Sequence, residues 1–244
     1  MYGLIGKNLG HSFSANFFNN KFEKEKIKEE YRLFPLKSID EFPHLLEDNQ
    51  NLKGLNVTIP YKESIIPYLD NLSKEAKEIG AVNVIKIEKE KGRFLLKGHN
   101  TDCIGFKNSL LPFLTPEIKG ALILGTGGAS KAVKFVLKEL GLEVLMVSRK
   151  HSDNSISYEE FTKEILQENL LIVNTTPLGM FPDIESAPNI PYQYITPEHV
   201  CYDLVYNPQE TMFMKECKKQ GAKVKNGLEM LELQALASWD IWNS

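Results

Sequence analysis

The chain has 244 residues, with 29 Lys and Arg against 32 Asp and Glu for a formal charge of −3, and 42% hydrophobic and 25% charged residues. That composition sits near the soluble globular average, so the chain can bury a sizeable core in one large domain or two modest ones, and its near-neutral balance offers no electrostatic footprint for nucleic acid. No run approaches the ~18 consecutive apolar residues of a membrane span, and Met1 to Ser14 lacks the basic start and apolar centre of a signal peptide, so a cytoplasmic protein without a membrane partner is expected. The densest charge run, Lys21 to Glu30, mixes both signs and reads as a solvated helix face. Cys103, Cys201 and Cys217 are odd in number and far apart, which fits reduced buried thiols better than a disulfide framework or a zinc site.

The first hundred residues alternate short β-type runs with amphipathic segments. Tyr2 to Ile5 reads as a strand, and Ser14 as a capping-type serine ahead of Phe17, Phe18 and Phe22 at helical spacing. Tyr31 to Leu36 and Leu52 to Ile59 read as strands around a helix that starts near Ser38 or Asp40. Val82 to Ile87 and Arg93 to Lys97 flank the polar turn Glu88 to Gly92, which predicts a hairpin. From Ala121 the texture becomes strict β-α-β alternation: a strand at Ala121 to Leu124, a helix from Gly128 to Leu140, and a strand at Glu143 to Val147. Further strands are expected at Leu170 to Val173, His199 to Leu204 and Ala222 to Val224, with a last helix at Leu228 to Trp242. The proline-bearing stretch Leu110 to Pro116 reads as the junction between the halves. The expected fold class is therefore α/β, with an N-terminal mixed-sheet domain and a Rossmann-like parallel-sheet domain.

Gly125-Thr126-Gly127-Gly128-Ala129-Ser130 follows an apolar strand and opens a helix, the context that gives a glycine pattern meaning. Gly125 permits the tight turn, and Gly127 lets the backbone approach a pyrophosphate whose charge the N-terminus of the next helix stabilises. Ser130 replaces the usual third glycine with another small residue. The second strand ends in Ser148-Arg149-Lys150, with no carboxylate to hold a ribose 2′-hydroxyl and a planar cation where a 2′-phosphate would sit. Arg149 is one of only three arginines, so the choice points to NADP(H) over NAD.

The motifs His11-Ser12-Phe-Ser14, Asn56-Val-Thr58-Ile-Pro60-Tyr-Lys62, Gly80-Ala-Val-Asn83, Asn100-Thr101-Asp102, Asn174-Thr-Thr-Pro-Leu-Gly-Met180, Asp203-Leu204-Val-Tyr206-Asn-Pro208 and Gly227-Leu-Glu-Met-Leu231 followed by Gln234 resemble, in order and wording, those of the shikimate dehydrogenase family. The resemblance implies interconversion of 3-dehydroshikimate and shikimate with NADP(H), in the route to aromatic amino acids. It implies a substrate-binding domain at 1–102 plus 228–244 and an NADP-binding domain at 103–227; the two are expected to enclose a cleft, and such two-domain clefts commonly close on ligand by hinge motion. Ser12 and Ser14 would donate to the substrate carboxylate, Thr58, Asn83, Asp102 and Gln234 would address its ring hydroxyls, and Tyr206 would add a contact. Leu204 and Gly227 would join the cofactor set, and Lys62 would donate and accept the proton with Asp102 as its partner. Three positions depart from the pattern: Ala15 stands for an expected proline, Phe18 for a common histidine and Val84 for the usual threonine. Rival readings are a quinate/shikimate dehydrogenase that often uses NAD and a catalytically silent NADP-binding sensor, against which retention of Lys62 and Asp102 counts. A metal-dependent hydrolase is disfavoured, because the five histidines show no ligand spacing. Either a monomer or a homodimer is compatible with the sequence.

Overall fold

The computed structural model describes residues 1–10, 12–90 and 92–244, so His11 and Lys91, which the readings of the serine motif and the hairpin turn include, lie outside the described residues. The chain divides into two compact units, Met1–Thr101 with Gln234–Ser244, and Asp102–Leu233. Leu110 to Pro116, expected as the junction, lies inside the second unit. Among the described residues no helix is long and apolar enough to cross a membrane.

The first unit is built on strands β1 (Tyr2–Gly6), β2 (Tyr31–Pro35), β3 (Gly54–Val57), β4 (Asn71–Leu72), β5 (Val84–Glu90) and β6 (Arg93–His99), with helices α1 (Phe13–Glu25), α2 (Phe42–Asp48) and α3 (Lys74–Ile79). The sheet order is β2-β1-β3-β5-β6-β4. β1 runs parallel to β2 and β3, while β5 pairs antiparallel with β3 and β6, so the sheet is mixed and the hairpin forms as expected. Successive side chains point to opposite faces of the sheet. Ile5, Leu55 and Ile85 pack with α2 residues Phe42, Leu45 and Leu46 on one face, and Tyr2, Leu4 and Val84 pack with the aromatic side of α1 on the other. The start of α1 differs from expectation. Ser12, not Ser14, is the N-cap, its Oγ accepting from the Ala15 amide at 3.4 Å, and Ser14 falls in the first helical turn. The helix expected near Ser38 begins as a 3₁₀ turn at Ile39–Glu41, capped by Ser38, and continues as α2.

The second unit contains α4 (Asp102–Leu110), β7 (Gly120–Leu124), α5 (Gly128–Glu139), β8 (Glu143–Ser148), β9 (Ile156–Ser157), α6 (Lys163–Glu168), β10 (Leu171–Asn174), β11 (Val200–Asp203), α7 (Met212–Lys219) and β12 (Lys223–Lys225). All its strand pairs are parallel, in the order β12-β11-β10-β7-β8-β9. The chain leaves β7 in one direction through β8 and β9, then returns to its other side through β10, β11 and β12. The carboxyl ends of β7 and β10 therefore flank a topological switch point, where doubly wound sheets bind their ligands. Cys103, Cys201 and Cys217 are all buried.

The last helix, α8 (Leu228–Asn243), begins in the second unit, and its segment from Gln234 packs on the first. Trp242 stacks on Tyr2 at 4.8 Å between ring centroids and donates its indole N–H to the Ile85 carbonyl at 3.1 Å. It crosses β3 over Gly54, where a Cβ would lie 2.3 Å from the indole, so only glycine admits this approach.

Candidate functional site

In the first unit, among the described residues, three of the expected substrate residues, Ser14, Asn83 and Gln234, belong to a buried polar network, which Ser12 and Thr58 do not join. The Asn83 amide group donates to Thr101 Oγ1 at 3.1 Å and to Gln234 Oε1 at 3.2 Å, and Asn83 Oδ1 accepts from the Thr101 backbone N–H at 2.7 Å. Thr101 Oγ1 lies 3.2 Å from Ser238 Oγ, which donates to the Gln234 carbonyl at 2.7 Å. Asn56 donates to Ser238 Oγ at 3.1 Å and to the Asn83 carbonyl at 3.3 Å, and it accepts from the Tyr31 hydroxyl at 2.8 Å. Tyr31 also bonds Ser14, and complete burial pushes its phenol well above the usual range. The network thus joins Asn83 and Gln234 directly and reaches Ser14 through Tyr31 and Asn56. Buried amides and hydroxyls this fully paired are held in one orientation, because breaking a member leaves its partners unsatisfied.

Lys62 is tied to the same region through its backbone. β3 ends at Val57, and the half-buried Thr58 donates its N–H to the Ile5 carbonyl at 2.9 Å. The Tyr61 N–H closes a turn onto the Thr58 carbonyl at 2.9 Å, and its hydroxyl is pinned to the Leu36 carbonyl at 2.7 Å. The Lys62 carbonyl accepts from Val82 N–H at 2.7 Å, so the lysine backbone is tied to the residue before Asn83. Its side chain is half-buried. Ser12 caps α1, and a hydroxyl that accepts one N–H still has its own proton to donate. Tyr31, Asn56, Thr101 and Ser238 were not among the expected site residues. Asn56 and Thr101 stand inside motifs already noted, and Ser238 lies four residues after Gln234, a spacing that shares a helix face; no local signal marks Tyr31.

In the second unit the glycine turn follows β7. Gly125 has φ +103°, a left-handed region that favours glycine, and a Cβ there would meet Thr176 Cγ2 at 2.9 Å. Cβ atoms at Gly127 and Gly128 would meet nothing within 4 Å, so the backbone lies open to an approaching group. Gly127 is the N-cap of α5 and supplies no side-chain cap, which leaves the first N–H groups of a 12-residue helix for an anion. Ser130 folds back onto the Gly127 carbonyl at 2.6 Å and is buried, so the small residue in the third position is accommodated within its own turn. These features fit a dinucleotide pyrophosphate. Thr126 is exposed and Ala129 half-buried on this turn, while Ser148 ends β8 with Arg149 and Lys150 exposed beyond it. Asp102 heads α4 and is buried, where the helix N-terminus favours a carboxylate.

Gly227 comes against the β11 end of the sheet. Its N–H bonds the Val205 carbonyl at 3.1 Å, and a Cβ would fall 2.1 Å from the Leu204 carbonyl oxygen, so glycine is required there. Tyr206 is half-buried on the same loop, and burial raises its phenol above the ordinary value. Asp203 organises this end of the unit. Fully buried, it accepts from Asn174 Nδ2 at 3.0 Å, from the Val205 N–H at 3.0 Å and from Thr211 Oγ1 at 2.6 Å. Desolvation outweighs these three donors and pushes its carboxyl up to about 6. A carboxyl whose folded value lies above its unfolded value stabilises the fold most when protonated, and that contribution is lost as pH rises through the folded value. From below about pH 3 to above about pH 7 this one group should remove about 3 kcal/mol, some two-thirds of it between about pH 4 and pH 6. Asp203→Asn is therefore expected to flatten the difference in urea midpoints between acid and neutral pH; parallel midpoint curves for the two proteins would show that Asp203 ionises without cost.

A chain that combines a mixed-sheet unit carrying a buried carboxamide and hydroxyl network with a doubly wound unit carrying an open glycine turn has the make-up of a dinucleotide-dependent oxidoreductase for a small polar molecule. The family model for the shikimate dehydrogenase substrate binding domain matches residues 4–85. The NADP(+) shikimate dehydrogenase of Clostridium beijerinckii is 39% identical over 252 residues, covering 99% of this chain and 91% of its own. That of Methanosphaera stadtmanae is 35% identical over 259 residues, covering 98% and 90%. The solved shikimate 5-dehydrogenase of Thermus thermophilus, in complex with NADP(H) and shikimate, superposes with a TM-score of 0.85 at 32% identity, covering 99% of this chain and 92% of that one. The chain belongs to the shikimate dehydrogenase family.

Proposed function

We propose that this chain catalyses the reversible, NADPH-dependent reduction of 3-dehydroshikimate to shikimate, a step toward chorismate and the aromatic amino acids. The observation that carries the reading is the network that fixes Asn83 and Gln234 side by side with the oxygen of Gln234 turned inward, so that its NH₂ is the donor a ring hydroxyl would meet. Ser12 and Ser14 donate to the substrate carboxylate, and Thr58, Asn83, Asp102, Tyr206 and Gln234 address its hydroxyls. The cofactor, when bound, supplies only the hydride, so the protein must supply the proton.

Lys62 is the proton donor in reduction and the acceptor in oxidation, and its ammonium stabilises the negative charge that develops on the carbonyl oxygen. Asp102 is its partner and fixes the position of the lysine side chain. Two backbone ties support the pairing: Lys62 is bonded through Val82, next to Asn83, and the Asn83 side chain holds the amide of Thr101, next to Asp102. The first unit is the substrate-binding part. The second binds NADP(H) through Gly125, Thr126, Gly127, Gly128 and Ala129 at the pyrophosphate, Ser148, Arg149 and Lys150 at the 2′-phosphate, and Leu204 and Gly227 toward the nicotinamide. Incubation of the purified chain with 3-dehydroshikimate and NADPH should yield shikimate by chromatography, and an unchanged substrate would refute the reaction. Arg149→Ala should raise KM for NADPH by about tenfold and leave NADH use nearly unchanged, because a guanidinium pairs specifically with the extra phosphate. Equal weakening with both cofactors would contradict that role.

A further inference from the structure

A second feature of the parallel-sheet unit bears on the same cofactor. Between α5 and the loop that follows β8 lies a cavity of about 200 Å³, lined among others by Thr126 of the glycine turn, Lys131 and Lys134 of α5, Met146 of β8, and Ser152 and Asn154 of the loop. That volume is below the range of sites for whole drug-sized ligands and suits a fragment such as a phosphorylated sugar. Its described lining contains two lysines and no carboxylate. Lys131 and Lys134 are three residues apart on one helix, so they share a face. The opposite wall is a tightly closed loop: Ser152 and Ser155 exchange backbone hydrogen bonds of 2.9 and 3.1 Å, and Ser155 Oγ lies 2.8 Å from Ser152 Oγ and 3.1 Å from Ser148 Oγ. This hydroxyl chain preorganises the loop whose first residues are the exposed Arg149 and Lys150.

We propose that Lys134, with Lys131 beside it, forms a second cationic wall for the phosphate on the adenosine ribose, facing the Arg149 loop, and so shares in selecting NADP over NAD. The inference rests on reading the glycine turn as the cofactor site. A guanidinium on the loop contributes planar, bidentate pairing, and flexible ammonium groups from the helix contribute point charges that a phosphate dianion can reach from its other side. A helix lysine thus adds to selectivity without occupying the position at the end of β8 where a fingerprint of the second strand would place it.

The experiment is calorimetric titration of the full chain with 2′,5′-ADP and with 5′-AMP, two probes that differ in the ribose phosphate alone. Lys134→Ala keeps a strong helix former in place and should weaken 2′,5′-ADP about five- to tenfold while 5′-AMP binding stays within about twofold, as expected for loss of one charge-assisted contact. Lys138→Ala, an exposed position on the same helix, should change neither ligand. Unchanged 2′,5′-ADP binding in Lys134→Ala, or equal weakening of both ligands, would overturn the proposal. Arg149→Ala separates the two levels: if it abolishes the preference for 2′,5′-ADP and Lys134→Ala does not, only the lysine wall falls. If neither variant alters that preference, the placement of the cofactor phosphate falls with it.

Discussion

Lys62→Met and Asp102→Asn are each expected to lower kcat by about 10²- to 10⁴-fold, the range for loss of a positioned acid-base group, with the fold retained. Methionine preserves the length and much of the apolar stem of lysine but has no proton to give, so a substrate can still occupy its site while the carbonyl oxygen goes without its donor. Asparagine preserves the shape of Asp102 and removes its charge. Its cost to stability through the lost helix-terminus charge is up to about 2 kcal/mol, the range for a partly buried carboxylate there. The Lys62 backbone is held by Val82 and the chain before Asp102 by the Asn83 carboxamide, contacts that neither substitution touches. Circular dichroism and NADPH binding should therefore match the parent protein while turnover collapses. Near-parental turnover in either variant would remove that residue from the chemistry.

The largest expected effect on stability comes from Trp242→Ala. Trp242 is 6% exposed and packs against Tyr2, Phe18 and Tyr31 at 4.8, 5.2 and 6.4 Å between ring centroids. Removing the indole opens a cavity over Gly54 and takes one donor from the Ile85 carbonyl, at a cost of about 3–5 kcal/mol, most of it lost packing. In a chain of this size that corresponds to a fall in apparent Tm of roughly 10 °C. Gln234, Ser238 and Trp242 are spaced four residues apart along one face of α8, so loosening this anchor should also raise KM for shikimate. Trp242→Phe, which keeps most of the ring contact, should recover the larger part of both losses. A Tm within about 2 °C of the parent value for Trp242→Ala would show that α8 is held elsewhere.

What could be read from the chain alone follows from how local each signal is. The β7-turn-α5-β8 unit was legible because its apolar strands, its glycines and the amphipathic α5 all lie within thirty residues and agree. The hairpin of β5 and β6 was legible for the same reason. α4 was not, because its polarity runs against its burial: the apolar Ile104 lies on the exposed stripe with Lys107 and Asn108, while Gly105 and Ser109 are buried with Cys103, Phe106 and Leu110, which blurs the periodic pattern. Its serine is concealed by a bond to Tyr202 at 2.7 Å, a partner 93 residues away. The two-residue β4 exists only through its pairing with β6.

The candidate site divides along the same line. Asn83, Gln234, Lys62 and the glycine turn stand in recognisable motifs, whereas Tyr31 and Ser238 gain their meaning from long-range partners, as in the Asn56–Ser238 bond that spans 182 positions. Ser12 and Ser14 were singled out together for the substrate carboxylate, and each also has a partner within the protein that its motif does not announce: Ser12 caps α1, and Ser14 ties that helix to Tyr31. Phe18, which departs from the family pattern, is fully buried and stacks on Tyr31 at 4.8 Å. An aromatic ring at that position therefore supports the network from its apolar side.

The most direct measurement is the initial rate of nicotinamide reduction by the purified chain with shikimate or quinate, each supplied with NADP⁺ or NAD⁺. Turnover confined to shikimate with NADP⁺ is the predicted result. Absence of turnover with that pair while NADPH still binds, or comparable rates with quinate or NAD⁺, would contradict the assignment of substrate and cofactor.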